Sequence, residues 1–428
     1  MTHPEPLQSV SKPWSERKIK EYRREAGRYF TPTKAATGTM FIPRDDRVSP
    51  DGDTIDRAVE RALEEDNQQL ILTGDSGVGK TNLLVFWSES LNMKHYVLNT
   101  LKGQGLPEIV DDAVRRMRGK KTEVQSTKTS HTAQANAAFK VSPLGLGKSK
   151  TSTAEVTETP VGGTPHATLA ETMYESGYRL LILDNLQELT KEVRSLIGGM
   201  MEYFADLDRQ EPDWEWHPKI AAAGIARNAS ELLENNLSRQ RRIASISVPH
   251  MAAPQIIKLA RNGFTQLNTP IEDDALERIA FYSDGFPYFA HRISKLVAEE
   301  YAESSSETLS TTVVEQAVRR VFSGGNDEFE ELLKDARGRD SRVRVRAKAL
   351  ELIAKDSKNE WDSSAVKALW KTHGFSGDPG TNLSTALNQL VTMNILDSNE
   401  LGGRKYYRFT NPQMRPYVRM HPDPRELR

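Results

Sequence analysis

Two rhythms of apolar and polar residues run through the chain. In one, apolar side chains recur every three to four residues, the period of a helix with one buried face. Residues 54–63 show it, with Ile55, Ala58, Val59, Ala62 and Leu63 in phase. In the other, short unbroken apolar runs predict strands covered on both faces. Gln69-Leu70-Ile71-Leu72-Thr73 and Leu180-Leu181-Ile182-Leu183 are of that kind. Further strands are predicted at 95–98, 219–224 and 243–248. Further helices are predicted at 80–87, 106–118, 188–207, 254–262, 272–283, 288–301 and 310–322. Strand alternating with helix predicts an α/β fold on a parallel sheet, followed by a helical unit.

Three stretches depart from this alternation. Residues 1–35 are polar, and Ser15 to Tyr29 reads as an exposed helix with Ser15 as its N-cap. Residues 119–166 are rich in Thr, Ser, Lys and Gly, with Thr and Val alternating around Val124 and Val156. That predicts a surface insertion, either a long β-hairpin or a partly disordered excursion. After Gly324-Gly325-Asn326 the rhythm changes again. Helices are predicted at 343–354, 363–372 and 382–393, then two short strands, Ile395-Leu396 and Tyr406 to Phe409, around Gly402-Gly403. Three helices followed by a β-hairpin is the order of a winged helix. The expected organisation is an arm over 1–37, a core over 38–265, a helical lid over 266–325, a linker over 326–340 and a winged helix over 341–428.

Composition narrows the chemistry. With 428 residues, two to four domains are expected. There are 58 Lys and Arg against 59 Asp and Glu, a net charge of −1. A uniformly basic coat is excluded, but local patches are not. Residues 118–152 hold seven Lys and Arg against one acid, and 337–428 hold 17 against 10. There is no cysteine, so disulfides, thiol nucleophiles and cysteine-ligated metals are excluded. No stretch reaches the ~18 apolar residues of a membrane span. No apolar core of a signal peptide follows Met1, so the expected address is the cytoplasm.

One motif carries strong chemistry. Gly74-Asp75-Ser76-Gly77-Val78-Gly79-Lys80-Thr81 fits G-x-x-x-x-G-K-[ST] between a predicted strand and a predicted helix. Glycines let the backbone turn its N–H groups inward on phosphate, and the following helix adds its positive end. Lys80 is expected to reach the β- and γ-phosphates, and the Thr81 hydroxyl to ligate Mg²⁺. The run at 180–183 ends in Asp184, where a parallel strand places a carboxylate for the metal and its water. The next residue is Asn185, which orients water but cannot accept a proton; Glu188 follows three residues on. Slow or partner-dependent hydrolysis is the expectation. No N-K-x-D guanine motif is present, which favours adenine.

The order of these pieces resembles the AAA+ and STAND branch of P-loop ATPases, and most closely the origin-recognition-type AAA+ proteins, over roughly 38–428. Pro43-Arg44-Asp45 is similar to the family's "P-R-E" segment near the adenine. The resemblance implies a sensor 1 polar residue after the strand ending at Gly224, with Asn228 the nearest match. It implies an arginine finger acting on a neighbouring subunit within Ser238 to Arg242, with Arg242 preferred. Gly285-Phe286-Pro287 is similar to the "G-x-P" that opens a sensor 2 helix. There Pro287 and Arg292 would meet nucleotide, or His291 would make a STAND-type contact.

The expected activity is ATP·Mg²⁺ binding with slow hydrolysis that switches conformation or assembly. Duplex DNA is the expected partner of the winged helix, through Arg404, Lys405, Lys371 and Asn382, and of the basic insertion. A homo-oligomer or a partner effector protein is also compatible, and no membrane is implied. The alternative is a STAND-type signalling switch, as in anti-phage defence, whose winged helix docks protein.

Overall fold

The computed structural model describes residues 14–32, 38–45, 52–119, 164–226, 229–233, 241–304, 307–321, 327–338, 344–373 and 380–423. The first half alternates as its sequence rhythm requires. After helix α1 (Glu16–Tyr29) come α2 (Ile55–Glu64), β1 (Gln69–Thr73), α3 (Lys80–Ser90), β2 (His95–Asn99) and α4 (Leu106–Met117). Then follow α5 (Pro165–Glu175), β3 (Leu180–Asp184), α6 (Lys191–Ala205), β4 (Lys219–Gly224) and β5 (Ile243–Ser247). The sheet is parallel throughout, in the order β2-β3-β4-β1-β5.

Both faces of the sheet are covered, which explains the unbroken apolar runs. Ile71, Leu181, Leu183, Ile220 and Ala222 point to one face, where they pack with Ile109, Met173, Ile197 and Met201 of α4, α5 and α6. Leu70, Leu72, Leu180, Ile182, Ala221 and Ala223 point to the other, with α2 and α3. Each Leu or Ile side chain so removed from water contributes roughly 1.5–3 kcal/mol before entropy, and each Ala less. The register pairs Leu183 with Ala222 and Thr73 with Gly224. The C-terminal ends of β3, β4 and β1 therefore lie side by side, with Gly224 between the glycine loop and Asp184.

Four helices follow: α7 (Ala253–Gln266), α8 (Asp273–Ser283), α9 (Pro287–Glu303) and α10 (Thr311–Val318). They share one apolar core with the α2–α3 face of the sheet. The N-terminal helix is not exposed as expected. Tyr22, Ala26 and Phe30 are buried, and Trp14, Tyr22 and Tyr301 form an aromatic cluster with ring centres 5.1–6.0 Å apart. Tyr22 Oη is 2.6 Å from Thr269 Oγ1. Gly263 makes room for this docking: a side chain there would occupy the space of the Phe30 ring. The apolar stripe at 19, 22, 26 and 30 is diluted by charged residues around it, and so reads as a solvated helix in sequence.

The last third has its own core. Helices α11 (Asp327–Arg337), α12 (Arg344–Lys355), α13 (Ser363–Thr372) and α14 (Gly380–Thr392) precede a hairpin and a final helix, α15 (Met414–Met420). Strands β6 (Trp361–Asp362), β7 (Leu396–Leu401) and β8 (Arg404–Phe409) form an antiparallel sheet in the order β6-β8-β7. Trp361, Leu387, Leu390, Tyr407 and Val418 are among the buried residues of this core.

Several expectations need correction. The stretch 326–340, expected as a linker, holds α11, whose Phe329, Leu333 and Ala336 are buried in the C-terminal core. The long helix expected at 188–207 is present as α6, but it starts three residues later, after a 3-10 turn, Leu186–Glu188. Thr190 starts α6 by accepting from Val193 N, so the chain is re-initiated there. Helix α5 has a readable start that the composition of the insertion obscures: Thr164 accepts from Ala167 N and Pro165 occupies the first turn. Helix α1, expected to be exposed, is docked as described above. The insertion and its expected hairpin fall almost entirely on 120–163, outside the described residues.

Candidate nucleotide site

The glycine loop joins β1 to α3. Gly77 and Gly79 have φ of 82° and 93°, left-handed values that side-chain-bearing residues adopt only at a cost. At Gly74, an added Cβ would lie 2.5 Å from the Val248 carbonyl oxygen, because β5 passes close behind the loop. Gly79 caps α3 with no side-chain partner, leaving the first N–H groups of the helix open to an anion. Lys80 Nζ donates to the carbonyls of Gly74 at 3.0 Å and Asp75 at 2.8 Å. Burial pushes its ammonium down to about 8, against the pull of Asp184 and Asp75.

Thr81 and Asp184 meet across the sheet: Thr81 Oγ1 donates to Asp184 Oδ2 at 2.7 Å. Asp184 Oδ1 accepts from Asn185 N at 2.9 Å. Asn185 itself has φ of 64°, a left-handed conformation that asparagine tolerates better than most residues. Thr100 Oγ1, at the end of β2, donates to the carbonyls of Asp184 and Asn185 at 2.9 and 2.8 Å. The carboxylate is thus held by Thr81 of α3 and by the Asn185 N–H, while Thr100 at the end of β2 fixes the backbone that carries it. Among the described residues no cluster of three or more His, Cys, Asp or Glu could cage a metal. One hydroxyl and one carboxylate side by side fit Mg²⁺, which keeps several waters and takes further oxygens from phosphate.

The other expected residues divide. Pro287 opens α9 against Gly79, 3.5 Å from where a Cβ would sit. Arg292 Nη1 donates to Tyr288 Oη at 3.0 Å, and Tyr288 N donates to Gly77 O at 3.4 Å, so the arginine is held one residue away from the loop. Arg44 is buried, and its guanidinium donates to Pro249 O at 2.6 Å and to Val78 O, bracing the loop from below. The Pro43 carbonyl accepts from Gln255 Nε2 at 2.9 Å. Glu188 is exposed at the end of its turn, with no hydrogen bond or ion pair from its carboxylate among the described residues. Arg242 precedes β5 at the N-terminal end of the parallel strands, away from the glycine loop, and pairs with Asp206 at 2.9 Å. Asn228 lies outside the described residues.

Several participants carried no sequence signal. Gln187 bridges Asn185 Oδ1 at 3.4 Å and Ile225 N at 2.9 Å, tying the turn after β3 to the end of β4. His250 Nε2 lies 2.8 Å from Asp75 Oδ2. The C-terminal unit also reaches the site: Gln413 Nε2 donates to Ser76 O at 3.4 Å. Asp284 Oδ1 pairs with Arg419 Nη1 at 2.9 Å and Arg415 Nη1 at 3.5 Å. Between the loop and this unit lies a cleft of about 540 Å³, lined by Asp75, His250, Asp284, Trp361 and Arg408.

His291, one turn into α9, is 3 % exposed, and burial pushes its imidazole down to about 4. Because the folded value lies below the 6.5 of the free side chain, the unfolded chain takes up more protons between the two. Stability is therefore lost as pH falls through that window, at ~1.4 kcal/mol per pH unit. From pH 6.5 to 5 the loss from His291 is expected to be about 2 kcal/mol. Urea unfolding of wild type and His291→Gln at both pH values tests this; parallel pH dependences would refute it.

A parallel α/β sheet, a glycine loop leading into α3, and Thr81 against Asp184 are the arrangement that the sequence resemblance to P-loop ATPases implies. No protein-family model matches the chain, and no curated protein matches it significantly. Among solved structures it is similar to Cdc6p from Pyrobaculum aerophilum, at 13 % identity and a TM-score of 0.45, over 92 % of this chain and 96 % of that one. It is similar to the Aeropyrum pernix ORC1 protein, solved in complex with DNA, at 12 % and 0.43, over 94 % and 97 %. It is also similar to the Thermotoga maritima RuvB Holliday junction branch migration motor, at 16 % and 0.38, over 82 % and 90 %. Scores this low describe distant likeness only; the site stands on the chain's own residues.

Proposed function

We propose that the chain is a slow ATPase of the AAA+ kind that uses bound ATP·Mg²⁺ to set the position of a DNA-binding C-terminal winged helix. The contact that carries this reading is Thr81 to Asp184 at 2.7 Å, with Lys80 in the same loop. A metal bound there would neutralise phosphate charge. Lys80 is released from the loop carbonyls to bind the terminal phosphates, and the open N–H groups of α3 bind the others. Pro287 and Tyr288 of the lid already touch Gly79 and Gly77. A phosphate in the loop thus pulls on the lid, and Asp284 passes lid position to Arg415 and Arg419.

Asn185 supplies no general base, and its left-handed backbone with its amide on Asp184 fixes it as a positioning group. Arg242 lies at the N-terminal end of the parallel strands, opposite the end that carries the glycine loop, so a role on phosphate would be in a neighbouring copy. The DNA surface comprises the end of α13, α14 and the β7–β8 hairpin: Lys371 and Asn382 are exposed, Arg404 is 72 % exposed, and Lys405 bonds Asn388 at 2.8 Å. Several other arginines of this unit are engaged internally, including Arg337 with Glu351 and Arg408 with Asp397, so the outward positive charge is smaller than the residue count suggests.

The test is steady-state ATP turnover, with and without duplex DNA, at several salt concentrations. Slow basal turnover and DNA affinity that falls steeply with salt are expected. Asn185→Glu is expected to raise turnover while costing roughly 1 kcal/mol of stability from the left-handed backbone. Brisk turnover by the parent chain would sink the hydrolysis reading; salt-independent or absent DNA binding would sink the DNA reading and leave protein docking.

A further inference from the structure

The glycine loop carries a side chain whose charge opposes phosphate. Asp75 stands between Gly74 and Ser76, and a carboxylate repels the phosphates that the loop's N–H groups attract. Its place in the loop makes the opposition matter. Lys80 Nζ rests on the carbonyls of Gly74 at 3.0 Å and Asp75 at 2.8 Å. The ammonium expected to meet the β- and γ-phosphates thus waits beside the Asp75 backbone, and the Asp75 charge already pulls on it.

The carboxylate itself is tied elsewhere. Asp75 Oδ2 lies 2.8 Å from His250 Nε2, and both residues line the cleft toward the C-terminal unit. A carboxylate only accepts, so Nε2 carries the proton that joins them. His250 follows β5, and its half-buried ring packs on Phe286 with centres 4.1 Å apart. On one side of it Arg44 Nη1 donates to Pro249 O at 2.6 Å; on the other Met251 N donates to Gly285 O at 2.8 Å. Gly285, with φ of 76°, brings the turn between α8 and α9 so close that an added Cβ would lie 2.8 Å from the His250 Cβ. The imidazole is therefore placed by the turn that also carries Asp284. The two arginines lining the cleft are engaged with other groups: Arg415 with Asp284, Asn359 Oδ1 and the Ala354 carbonyl, and Arg408 with Asp397. A carboxylate released from His250 is then drawn to Lys80, the cation of its own loop.

We propose that His250 is a positioning residue that holds the Asp75 carboxylate away from Lys80 and the terminal phosphate, and so sets the preference of the site for ATP over ADP. This rests on the nucleotide reading of the glycine loop and deepens it. ADP lacks the γ-phosphate, so a carboxylate that competes for Lys80 and repels negative charge penalises ATP more. The pair also gives the C-terminal unit a second route to the loop. Asp284, clasped by Arg415 and Arg419, and Gly285, seated against His250, lie in one turn. A shift of that turn releases Asp75 and favours ADP without displacing a backbone N–H from phosphate.

The experiment uses the full chain with Mg²⁺ and measures binding of ATP and of ADP by calorimetry. His250→Phe keeps a ring on Phe286 and loses the donor. In it ATP is expected to bind about tenfold more weakly than in wild type, and ADP less than about threefold more weakly. His250→Leu needs less space and reads the same ratio should the larger ring unfold the chain. His250→Gln keeps an N–H for the carboxylate and is expected to recover most of the ATP preference, which separates positioning from a packing defect. Beside Asp75→Asn, His250→Phe is expected to change the ratio of the two affinities by less than about twofold, because the carboxylate it releases is gone. Equal losses for ATP and ADP, no loss for either, or a penalty that persists beside Asp75→Asn overturns the assignment and leaves the site an ATP site. No saturable binding of either nucleotide by wild type overturns the nucleotide reading and this inference with it.

Discussion

Asp284→Ala is expected to destabilise the protein by about 3–5 kcal/mol, a cost set by burial. The carboxylate is 9 % exposed, and the Arg415 and Arg419 side chains are 5 % exposed. Burial pushes Asp284 up, against the pull of both arginines, and pushes Arg419 down to about 10. Arg419 also donates to the carbonyls of Ala354 and Phe281, and Arg415 to Ala354 O and Asn359 Oδ1, so neither swings freely into water when the carboxylate is gone. Two buried guanidinium groups would be left with Asp356 as their remaining counter-charge. Asp284 also caps α8 with φ of 49°, which alanine adopts poorly and asparagine adopts more readily. Asp284→Asn therefore separates the two causes: it keeps the cap and loses the charge. Urea unfolding gives the stability, and protease cleavage between α10 and α11 reports undocking of the C-terminal unit. A loss below about 1 kcal/mol for the alanine variant would show that the clasp is ornamental.

Lys80→Ala is expected to abolish measurable ATP binding while leaving the empty protein nearly as stable as before. The lost interaction is between a charged donor and the terminal phosphates in a partly buried loop, where such pairs are worth roughly 2–5 kcal/mol, or about 30- to several-thousand-fold in affinity. In the empty protein Lys80 satisfies only two carbonyls, and its ammonium is already disfavoured by burial. Removing it therefore relieves a desolvation cost as it breaks two hydrogen bonds, and these offset each other to within about 1 kcal/mol. Calorimetry with ATP·Mg²⁺ gives the affinity, and unfolding without nucleotide gives the stability. Retained ATP affinity in this variant would move the nucleotide site elsewhere.

The parts legible in the sequence share a physical property: their signals are local. Leu70 to Leu72 and Leu180 to Leu183 are apolar without interruption because a strand covered on both faces has no polar side. Gly74 to Thr81 is readable because a backbone that must turn its N–H groups on phosphate needs glycine at particular steps. Helix α5 announces itself by Thr164 and Pro165, and the composition of the neighbouring insertion hides it. Helix α11 is missed because its polar side faces solvent and Gly324-Gly325 suggests a break before it.

Long-range pairs left no such trace. His250 meets Asp75 across 175 positions, Thr31 meets His291 across 260, and Gln413 meets Ser76 across 337. A sequence pattern encodes which face of an element is apolar, but it carries no term for which distant side chain will stand opposite. The sequence by itself determined the parallel α/β core, the glycine loop with Lys80 and Thr81, and the carboxylate at Asp184. The tertiary structure alone decided that the first helix packs into the core of the helices after β5, that Asn185 is locked left-handed under Asp184, and that Asp284 ties the end of α8 to Arg415 and Arg419. Each of those depends on burial created by packing, and burial is a property of the assembled chain.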